Sequence, residues 1–326
     1  MKNEICFISC FAPYIEAFIK EKKSLGFKYE TENRILHHFD RYCLDHCYEL
    51  VFDEKLVQGY IFSDENRTIK TKQNIIGLMR QFASYLIRQS LIAWMFPPEL
   101  FPKKEHVYKP YVFTHDEILA IMQTAEKLTL NPKFPTRHKT LPLLYRTLYC
   151  CGLRVSEATN LTLEKVDLQA GMLFICNAKD YRDRIIPLTE ELAARYKAYI
   201  KEVHADSFPR DFFFRSDYGN NYCTQAVETS FRELLWKCGI SYGGRSKGPN
   251  LHCLRHTFSV HCLQRAMKEG RDIQEFLPVL SAYLGHKTLH GTEKYLHMTA
   301  ELYPDILDKL EEYCSGIIPK AGDLCE

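Results

Sequence analysis

Five short segments in the second half of the chain carry residue types suited to phosphate chemistry. They are GLRVSE from Gly152 to Glu157, a charged stretch holding Lys179, LHCLRHTF with His252, Arg255 and His256, LGH ending at His286, and EKYLH with Tyr295. Arginine offers phosphate oxygens planar, paired donors and stays protonated. A tyrosine hydroxyl, with an ordinary pKa of about 10, needs a cationic setting or a neighbouring base in order to attack. The set indicates attack by a phenol on a phosphate ester whose charge is held by guanidinium groups.

A divalent metal ion is the common alternative for holding that charge. Metal sites of this kind need converging carboxylates, and no carboxylate cluster lies near the five segments. Two stretches rich in histidine and cysteine, 37–47 and 252–262, leave a structural zinc ion as an alternative, although neither has a C-x2-C partner elsewhere. We expect neither a cofactor nor a metal.

Periodicity assigns helices and one hairpin around these residues. Apolar stripes predict helices over 11–19, 75–86, 141–148 and 227–238, and Thr114 with Glu117 forms a capping-box pattern for a helix through Leu128. Between 172 and 188, the apolar runs MLFIC and RIIPL flank the charged turn AKDYRD, which predicts a β-hairpin with Lys179 in its turn. On a helix, His252, Arg255 and His256 share one face. The expected fold is mainly α with a small antiparallel β-sheet: an N-terminal helical bundle followed by a mixed α/β domain.

Length and composition favour two domains of a globular protein. The chain has 326 residues, of which 46% are hydrophobic and 26% are charged. Four prolines and several lysines between 96 and 111 predict a linker, so we expect a helical domain at 1–95, a second domain at 112–315 and a tail at 316–326. No uncharged apolar stretch approaches the roughly 18 residues of a membrane span. Thirteen cysteines without a short-spaced framework favour a reducing cytoplasm.

Charge is balanced overall but is locally basic. The formal net charge is +2, yet 67–88 holds five basic residues and no acid, and 237–271 holds seven against one acid. Such zones favour contacts with phosphate groups. The predicted contacts are Arg67, Lys70, Lys72, Arg80, Arg88, Lys103, Lys104, Arg245 and Lys247.

The order and spacing of the five segments resemble the tyrosine recombinase (phage integrase) family. GLRVSE is followed by the hairpin lysine, then by HxLRH, and then by LGH with Tyr295 nine residues after His286. The resemblance covers about 112–300, and the N-terminal bundle is similar only in kind to the family's helical core-binding domain. The fold that the resemblance implies is therefore the family's two-domain arrangement.

The resemblance also implies a role for each matching residue. Arg154 and Arg255 would grip the scissile phosphate, Lys179 would protonate the leaving 5′ oxygen, and Tyr295 would be the nucleophile. His252 and His286 match the two histidine positions around the phosphate, Glu157 matches the acidic position that steadies the first arginine, and His256 is expected to be supporting. Arg182 shares the turn of Lys179, and Tyr283 and Tyr303 lie close to Tyr295 in sequence, so only spacing selects among them.

The implied activity is site-specific recombination. Such an enzyme cuts and rejoins DNA strands through a 3′-phosphotyrosyl intermediate, without metal or ATP, in integration, transposition or resolution. Double-stranded DNA would be the partner, with four protomers on DNA and a monomer in solution. Two alternatives stay open: DNA relaxation like that of a type IB topoisomerase, and a catalytically inert DNA-binding protein.

The sequence departs from the family pattern in one segment. Arg255 and His286 are 31 residues apart, which is longer than in the short form of the family. Longer versions occur among transposon-borne members, which favours a mobile element, and the extra length would extend a helix or a loop beside the site. A further helix is expected over 304–313, packed either on its own domain or on a neighbouring protomer.

Overall fold

The computed structural model describes residues 6–46, 49–102, 110–176, 183–244, 248–286, 288 and 290–302. The chain divides into two compact units, Met1–Tyr108 and Lys109–Glu326, and this boundary falls inside the predicted linker. Several predicted features lie outside the described residues: Lys103, Lys104, Lys179, Arg182, Arg245, Lys247, Tyr303, the helix over 304–313 and the tail. No helix in the described part of the chain has both the length and the apolar character needed to cross a membrane.

The first unit is a helical bundle with an aromatic core. Its helices are α1 (Ala12–Ser24), α2 (Glu30–His46), α3 (Glu54–Phe62) and α4 (Ile69–Arg88). The predicted apolar stripes of α1 and α4 are buried. The ring of Phe82 lies within 6.4 Å of the rings of Phe11, Phe18, Phe39 and Phe52, measured between centroids. Aromatic rings at this spacing stabilise a core beyond the area that they bury.

The stretch 96–102 packs with the first unit, although it belongs to the segment for which the sequence predicted a linker. Phe96 is buried in the aromatic core and Phe101 packs against it, while Pro98–Leu100 forms one 3-10 turn. Gln73 Nε2 donates a hydrogen bond to the Pro102 carbonyl at 2.8 Å. The prolines do prevent an α-helix here, but Phe96, just before them, and Phe101, between Pro98 and Pro102, anchor the segment to the core.

The second unit combines eight helices, within the described residues, with one small sheet. The helices are α5 (His115–Glu126), α6 (Arg137–Cys150), α7 (Val155–Thr159), α8 (Glu190–Val203), α9 (Thr224–Lys237), α10 (Leu251–Lys268), α11 (Ile273–Leu284) and α12 (His290–Leu302). The strands are β1 (Val166–Asp167), β2 (Met172–Ile175) and β3 (Arg184–Pro187), antiparallel in the order β1-β2-β3. The expected fold class, mainly α with a small antiparallel sheet, is confirmed.

Local sequence signals account for the ends of several elements. Thr114 Oγ1 accepts a hydrogen bond from the Glu117 amide while the Glu117 carboxylate accepts one from the Thr114 amide, so the predicted capping box opens α5. Strands β2 and β3 form the predicted hairpin, with Leu173 opposite Ile186 and both side chains buried. Two-residue β1 was not predicted, because so short a strand has no periodicity to detect.

Helix α10 is the central element of the second unit. Most of its residues are buried on every side, including Arg255, His256 and Thr257, and it packs against α6, α11 and α12. The long segment between Arg255 and His286 forms the remainder of α10, a short turn and α11. The segment is therefore mainly helical.

Candidate active site

The first site arginine lies at a sharp turn between α6 and α7. Gly152 adopts a φ of +57°, and a Cβ atom there would come within 2.5 Å of the Phe258 ring. Arg154 follows as the N-cap residue of α7 and donates from Nη1 to Glu157 Oε1 at 2.7 Å. Its backbone amide donates to Glu157 Oε2 at 2.9 Å. The carboxylate therefore fixes both the backbone and the side chain of Arg154.

The second site arginine is held from the interior of the unit. Arg255 is 1% exposed and donates to the carbonyls of Gly152 at 2.7 Å and Leu284 at 2.6 Å. Its Nη1 lies 3.9 Å from the Glu157 carboxylate. Burial, with the nearby charge of Arg154, lowers the pKa of Arg255 to about 10. The guanidinium thus stays charged at neutral pH.

A third arginine, which the sequence analysis missed, completes this cluster. Arg184, the first residue of β3, donates to both oxygens of Glu157 at 3.1 and 2.8 Å and to the Tyr283 carbonyl at 2.8 Å. Arg184 belongs to no motif, but it is two residues before the buried Ile186. Residues at i and i+2 share a face of a strand, so this alternation was the available signal that Arg184 faces inward.

The C-terminal end of α11 binds all three guanidiniums. The consecutive carbonyls of Tyr283, Leu284 and Gly285 accept hydrogen bonds from Arg184, Arg255 and Arg154, respectively. The last carbonyls of a helix lack partners within the helix and carry its partial negative charge. Gly285 ends α11 in the left-handed conformation, with a φ of +66°. The segment between Arg255 and His286 thus supplies acceptors for the site arginines.

Tyr295 lies against the same cluster. Its side chain is buried, and its hydroxyl is 3.0 Å from His256 Nδ1. Burial raises the pKa of Tyr295, whereas the charge of Arg255 and hydrogen bonding to Ser259 and Arg255 act in the opposite direction. The ring of His286 stacks on the tyrosine ring with the centroids 6.1 Å apart. Arg255, His256, His286 and Tyr295 are therefore brought together.

The three site histidines are neutral at physiological pH. Burial, followed by the charge of Arg255, lowers the pKa of half-buried His286 to about 4. His252 keeps an exposed side, but desolvation by neighbouring atoms, followed by the charge of Arg255, lowers its pKa to about 4 as well. Burial, followed by the proximity of His252, lowers the pKa of His256 to about 2. The rings of His252 and His256 meet edge to face at 4.5 Å, and His286 Nδ1 lies 2.7 Å from the Thr292 hydroxyl. Neutral imidazoles offer one donor and one acceptor each, so these side chains direct hydrogen bonds in the site.

No metal centre emerges from the histidine- and cysteine-rich stretches as far as the structure describes them. Within residues 6–46 and 248–286 and the other described ranges, no three His, Cys, Asp or Glu side chains are placed to hold an ion. His46 instead stacks on Tyr42, with the ring centroids 3.9 Å apart, and His256 contacts Tyr295. The side chains that do converge are the arginines, histidines and tyrosine.

The predicted phosphate contacts of the first unit differ in their surroundings. Lys70 is exposed, and Arg88 is exposed beside Glu21, which it contacts at 2.8 Å. Lys72 lies over the Phe62 ring, with Nζ 5.4 Å from its centroid. Arg67 donates to the carbonyls of Tyr60 and Ile61, and Arg80 donates to that of Phe96. Arg67 and Arg80 therefore stabilise the bundle itself, and phosphate contact by this set stays a prediction.

Comparisons with known proteins agree with this geometry. The Phage integrase family pattern matches residues 111–301. A putative integrase/recombinase of Sinorhizobium fredii is 27% identical over 311 residues, 93% of this chain and 98% of the relative. The tyrosine recombinase XerC of Chlamydia muridarum is 26% identical over 268 residues, 79% of this chain and 77% of the relative.

The fold is also that of a solved recombinase. The crystal structure of the XerH site-specific recombinase bound to its difH substrate superposes with a TM-score of 0.63 at 19% identity, covering 92% of this chain and 82% of XerH. At that identity the likeness concerns the fold alone. The family match covers more than half of the chain, from the start of the second unit to the end of α12. This protein therefore belongs to the phage integrase family and is a tyrosine recombinase.

Proposed function

We propose that this enzyme cuts and rejoins DNA strands at a specific site through a 3′-phosphotyrosyl intermediate on Tyr295. The observation that carries the proposal is a cluster in which the Tyr295 hydroxyl lies 3.0 Å from His256, the neighbour of Arg255 in the chain, while Arg255 and Arg154 both lie against Glu157. Phosphoryl transfer depends mainly on positioning and on stabilising charge on the non-bridging oxygens. Two guanidiniums supply that charge, and the phenol supplies the nucleophile.

The proposed reaction balances without an external energy source. The Tyr295 hydroxyl oxygen forms a bond to phosphorus, the bond from phosphorus to the 5′ oxygen breaks, and a proton is delivered to that oxygen. Lys179 is the proposed proton donor and lies outside the described residues. Attack by the 5′-hydroxyl of a second strand reverses these steps and releases the tyrosine. Because one phosphodiester replaces another, the cycle needs no ATP.

Double-stranded DNA is the proposed partner. The XerH structure named above holds its difH substrate, and the present chain shares that fold. Exchange between two duplexes calls for four protomers, each cutting one strand. The predicted basic contacts would bind phosphates, so affinity should fall steeply as salt rises. Whether the exchange serves integration, transposition or resolution depends on the DNA sites, and the long Arg255–His286 segment motivates the proposal of a mobile element.

The decisive experiment traps the covalent intermediate. Purified protein is incubated in EDTA with supercoiled plasmid carrying the DNA that flanks its gene, and adducts are trapped with detergent. We expect an adduct with the wild type and with Tyr283→Phe, and none with Tyr295→Phe. Tyr283 is the matched control, because its half-buried ring stacks on Phe258 and its hydroxyl has no assigned role.

The position of the label identifies the chemistry. A second reaction uses a linear duplex cut from the same plasmid and labelled at its strand ends. In a 3′-phosphotyrosyl link, the fragment that carries the 5′ label stays attached to the protein. An adduct that persists in Tyr295→Phe, or that carries the 3′-labelled strand, refutes the proposal. Relaxed plasmid without recombinant products would identify a topoisomerase-like activity. DNA binding without any adduct would identify an inert DNA-binding protein.

A further inference from the structure

We propose that Arg184 is a positioning residue for strand cleavage: it fixes Glu157, and through it Arg154, at the scissile phosphate without touching DNA. This inference rests on the proposed function. It concerns a residue outside the sequence motifs. It also explains why a third guanidinium is buried beside the two that are proposed to bind the scissile phosphate.

Glu157 is saturated by hydrogen bonds, and Arg184 supplies half of them. Oε1 accepts from the guanidiniums of Arg154 at 2.7 Å and Arg184 at 3.1 Å. Oε2 accepts from the Arg154 amide at 2.9 Å and from Arg184 at 2.8 Å. The Glu157 side chain is only 3% exposed, and a buried carboxylate is costly unless its oxygens are satisfied. Removing Arg184 leaves two buried lone-pair positions unpaired and favours protonation or rotation of the carboxyl group that holds Arg154.

Arg184 also joins three elements that carry site residues. Its backbone pairs with Ile175 in strands β2 and β3, which Lys179 lies between in the sequence. Its guanidinium contacts Glu157 on α7 and the Tyr283 carbonyl at the end of α11, two residues before Gly285. The fit is close, since a Cβ atom on Gly285 would lie 3.0 Å from Arg184 Nη1. A change at Arg184 is therefore transmitted to the hairpin and to the carbonyls that hold the other arginines.

The surroundings of Arg184 separate it from the arginines assigned to phosphate. Each of its three nitrogens already donates to a protein acceptor. The guanidiniums of Arg154 and Arg255 donate to protein acceptors from their two terminal nitrogens. Exposure does not separate the three, since the side chain of Arg184 is 8% exposed, against 18% for Arg154 and 2% for Arg255. Arg184 therefore acts through Glu157 and Arg154 and is not itself a phosphate contact.

The test compares Arg184→Gln with the wild type in single-turnover adduct formation on the site mapped by the trapping experiment. Displacement of a reacting group by about 1 Å costs on the order of 100-fold, and we expect a loss of that size with DNA affinity within about threefold. Arg195→Gln is the matched control: Arg195 also pairs with two glutamates but is 41% exposed on α8. It should cleave at the wild-type rate.

A chemically altered substrate separates positioning from general loosening of the fold. A methylphosphonate at the scissile position lacks one non-bridging oxygen charge and so reduces the need for Arg154. If Arg184 acts through Arg154, the penalty of Arg184→Gln should shrink to within about threefold on this substrate, as should that of Arg154→Ala. Equal penalties on phosphate and methylphosphonate refute the inference, and so does wild-type cleavage by Arg184→Gln.

The conservative variant Arg184→Lys gives a second criterion. Lysine keeps the charge but lacks the planar fork that reaches both Glu157 oxygens and the Tyr283 carbonyl together. It should remain at least about tenfold slower than the wild type, and full activity would show that the fork is unnecessary and overturn the inference. A wild-type protein that forms no adduct refutes the proposed function itself, which distinguishes that failure from a failure at Arg184.

Discussion

The contact between His256 and Tyr295 allows a quantitative test of how the proposed nucleophile, Tyr295, is controlled. His256 Nδ1 lies 3.0 Å from the tyrosine hydroxyl, a distance that suits either a general base or an orienting acceptor. Burial and His252 lower the pKa of His256 to about 2, far from the range in which a base is effective at neutral pH. We therefore expect His256 to accept the hydroxyl proton in a hydrogen bond that aims the oxygen, and not to remove it.

The two roles predict different losses of cleavage rate when His256 is substituted. A net hydrogen bond contributes about 0.5–1.5 kcal/mol, and about 1.36 kcal/mol corresponds to tenfold in rate. His256→Leu, which removes the acceptor, should therefore slow adduct formation by roughly 2- to 13-fold. Loss of a general base would instead cost about 100- to 10,000-fold.

Single-turnover adduct formation on the mapped site, measured from pH 6 to 9, distinguishes these outcomes. The orienting role predicts pH–rate profiles of the same shape for the wild type and His256→Leu. His256→Asn is the matched control, because its amide oxygen places an acceptor near the position of Nδ1 and should recover most of the rate. A loss beyond about 100-fold in His256→Leu, together with a vanished limb in the profile, would identify His256 as the base and refute the reasoning.

Two further predictions concern stability. Gly152→Ala should lower the unfolding free energy of the second unit by about 2–4 kcal/mol in denaturant titrations, because the positive φ alone costs about 1–2 kcal/mol and the new methyl group meets Phe258. Gly239 is the control, since its φ is +73° but the space around it is open, so Gly239→Ala should show only the cost of the positive φ. Equal losses in the two variants would contradict the role of Phe258. In the unfolded chain His256 binds a proton with a pKa near 6.5, whereas in the folded protein it stays neutral well below that pH. The unfolding free energy should therefore fall by about 1.5 kcal/mol between pH 6.5 and 5 because of this residue. If the unfolding free energy of His256→Asn had the same pH dependence as that of the wild type, this assignment would be contradicted.

The motifs of the active site could be predicted from the sequence because each is local. Spacing placed His252, Arg255 and His256 on one helix face, and the capping pattern at Thr114 located the start of α5. The apolar runs on either side of a charged turn defined the hairpin. In each case the interaction that forms the element joins residues close together in the sequence, so the sequence pattern is enough to predict it.

The connections between these motifs could not be predicted in the same way. Arg184 contacts Glu157, 27 residues away, and Tyr283, 99 residues away, and no local pattern encodes such pairs. The acceptors at the end of α11 are backbone carbonyls, which every residue possesses. Phe96 is similarly inconspicuous among prolines, although tertiary packing makes it part of the first core. Side-chain identity was thus informative where the partner was near in sequence and uninformative where the partner was backbone or distant.

The charge balance of the cluster explains why three arginines accompany one glutamate. Three guanidiniums and one carboxylate sum to a formal charge of +2. Although burial lowers the pKa of Arg255 to about 10, this guanidinium stays protonated at neutral pH. Two positive charges suit a phosphodiester that acquires a second negative charge as the tyrosine attacks. With only Arg154 and Arg255, the Glu157 needed to orient them would cancel half of that charge. Arg184 offsets the carboxylate from the protein side, while the carbonyls of α11 hold the cations in place before DNA arrives. Substituting Arg184 therefore alters both the geometry and the electrostatic potential at the phosphate, which is why the methylphosphonate comparison bears directly on its role.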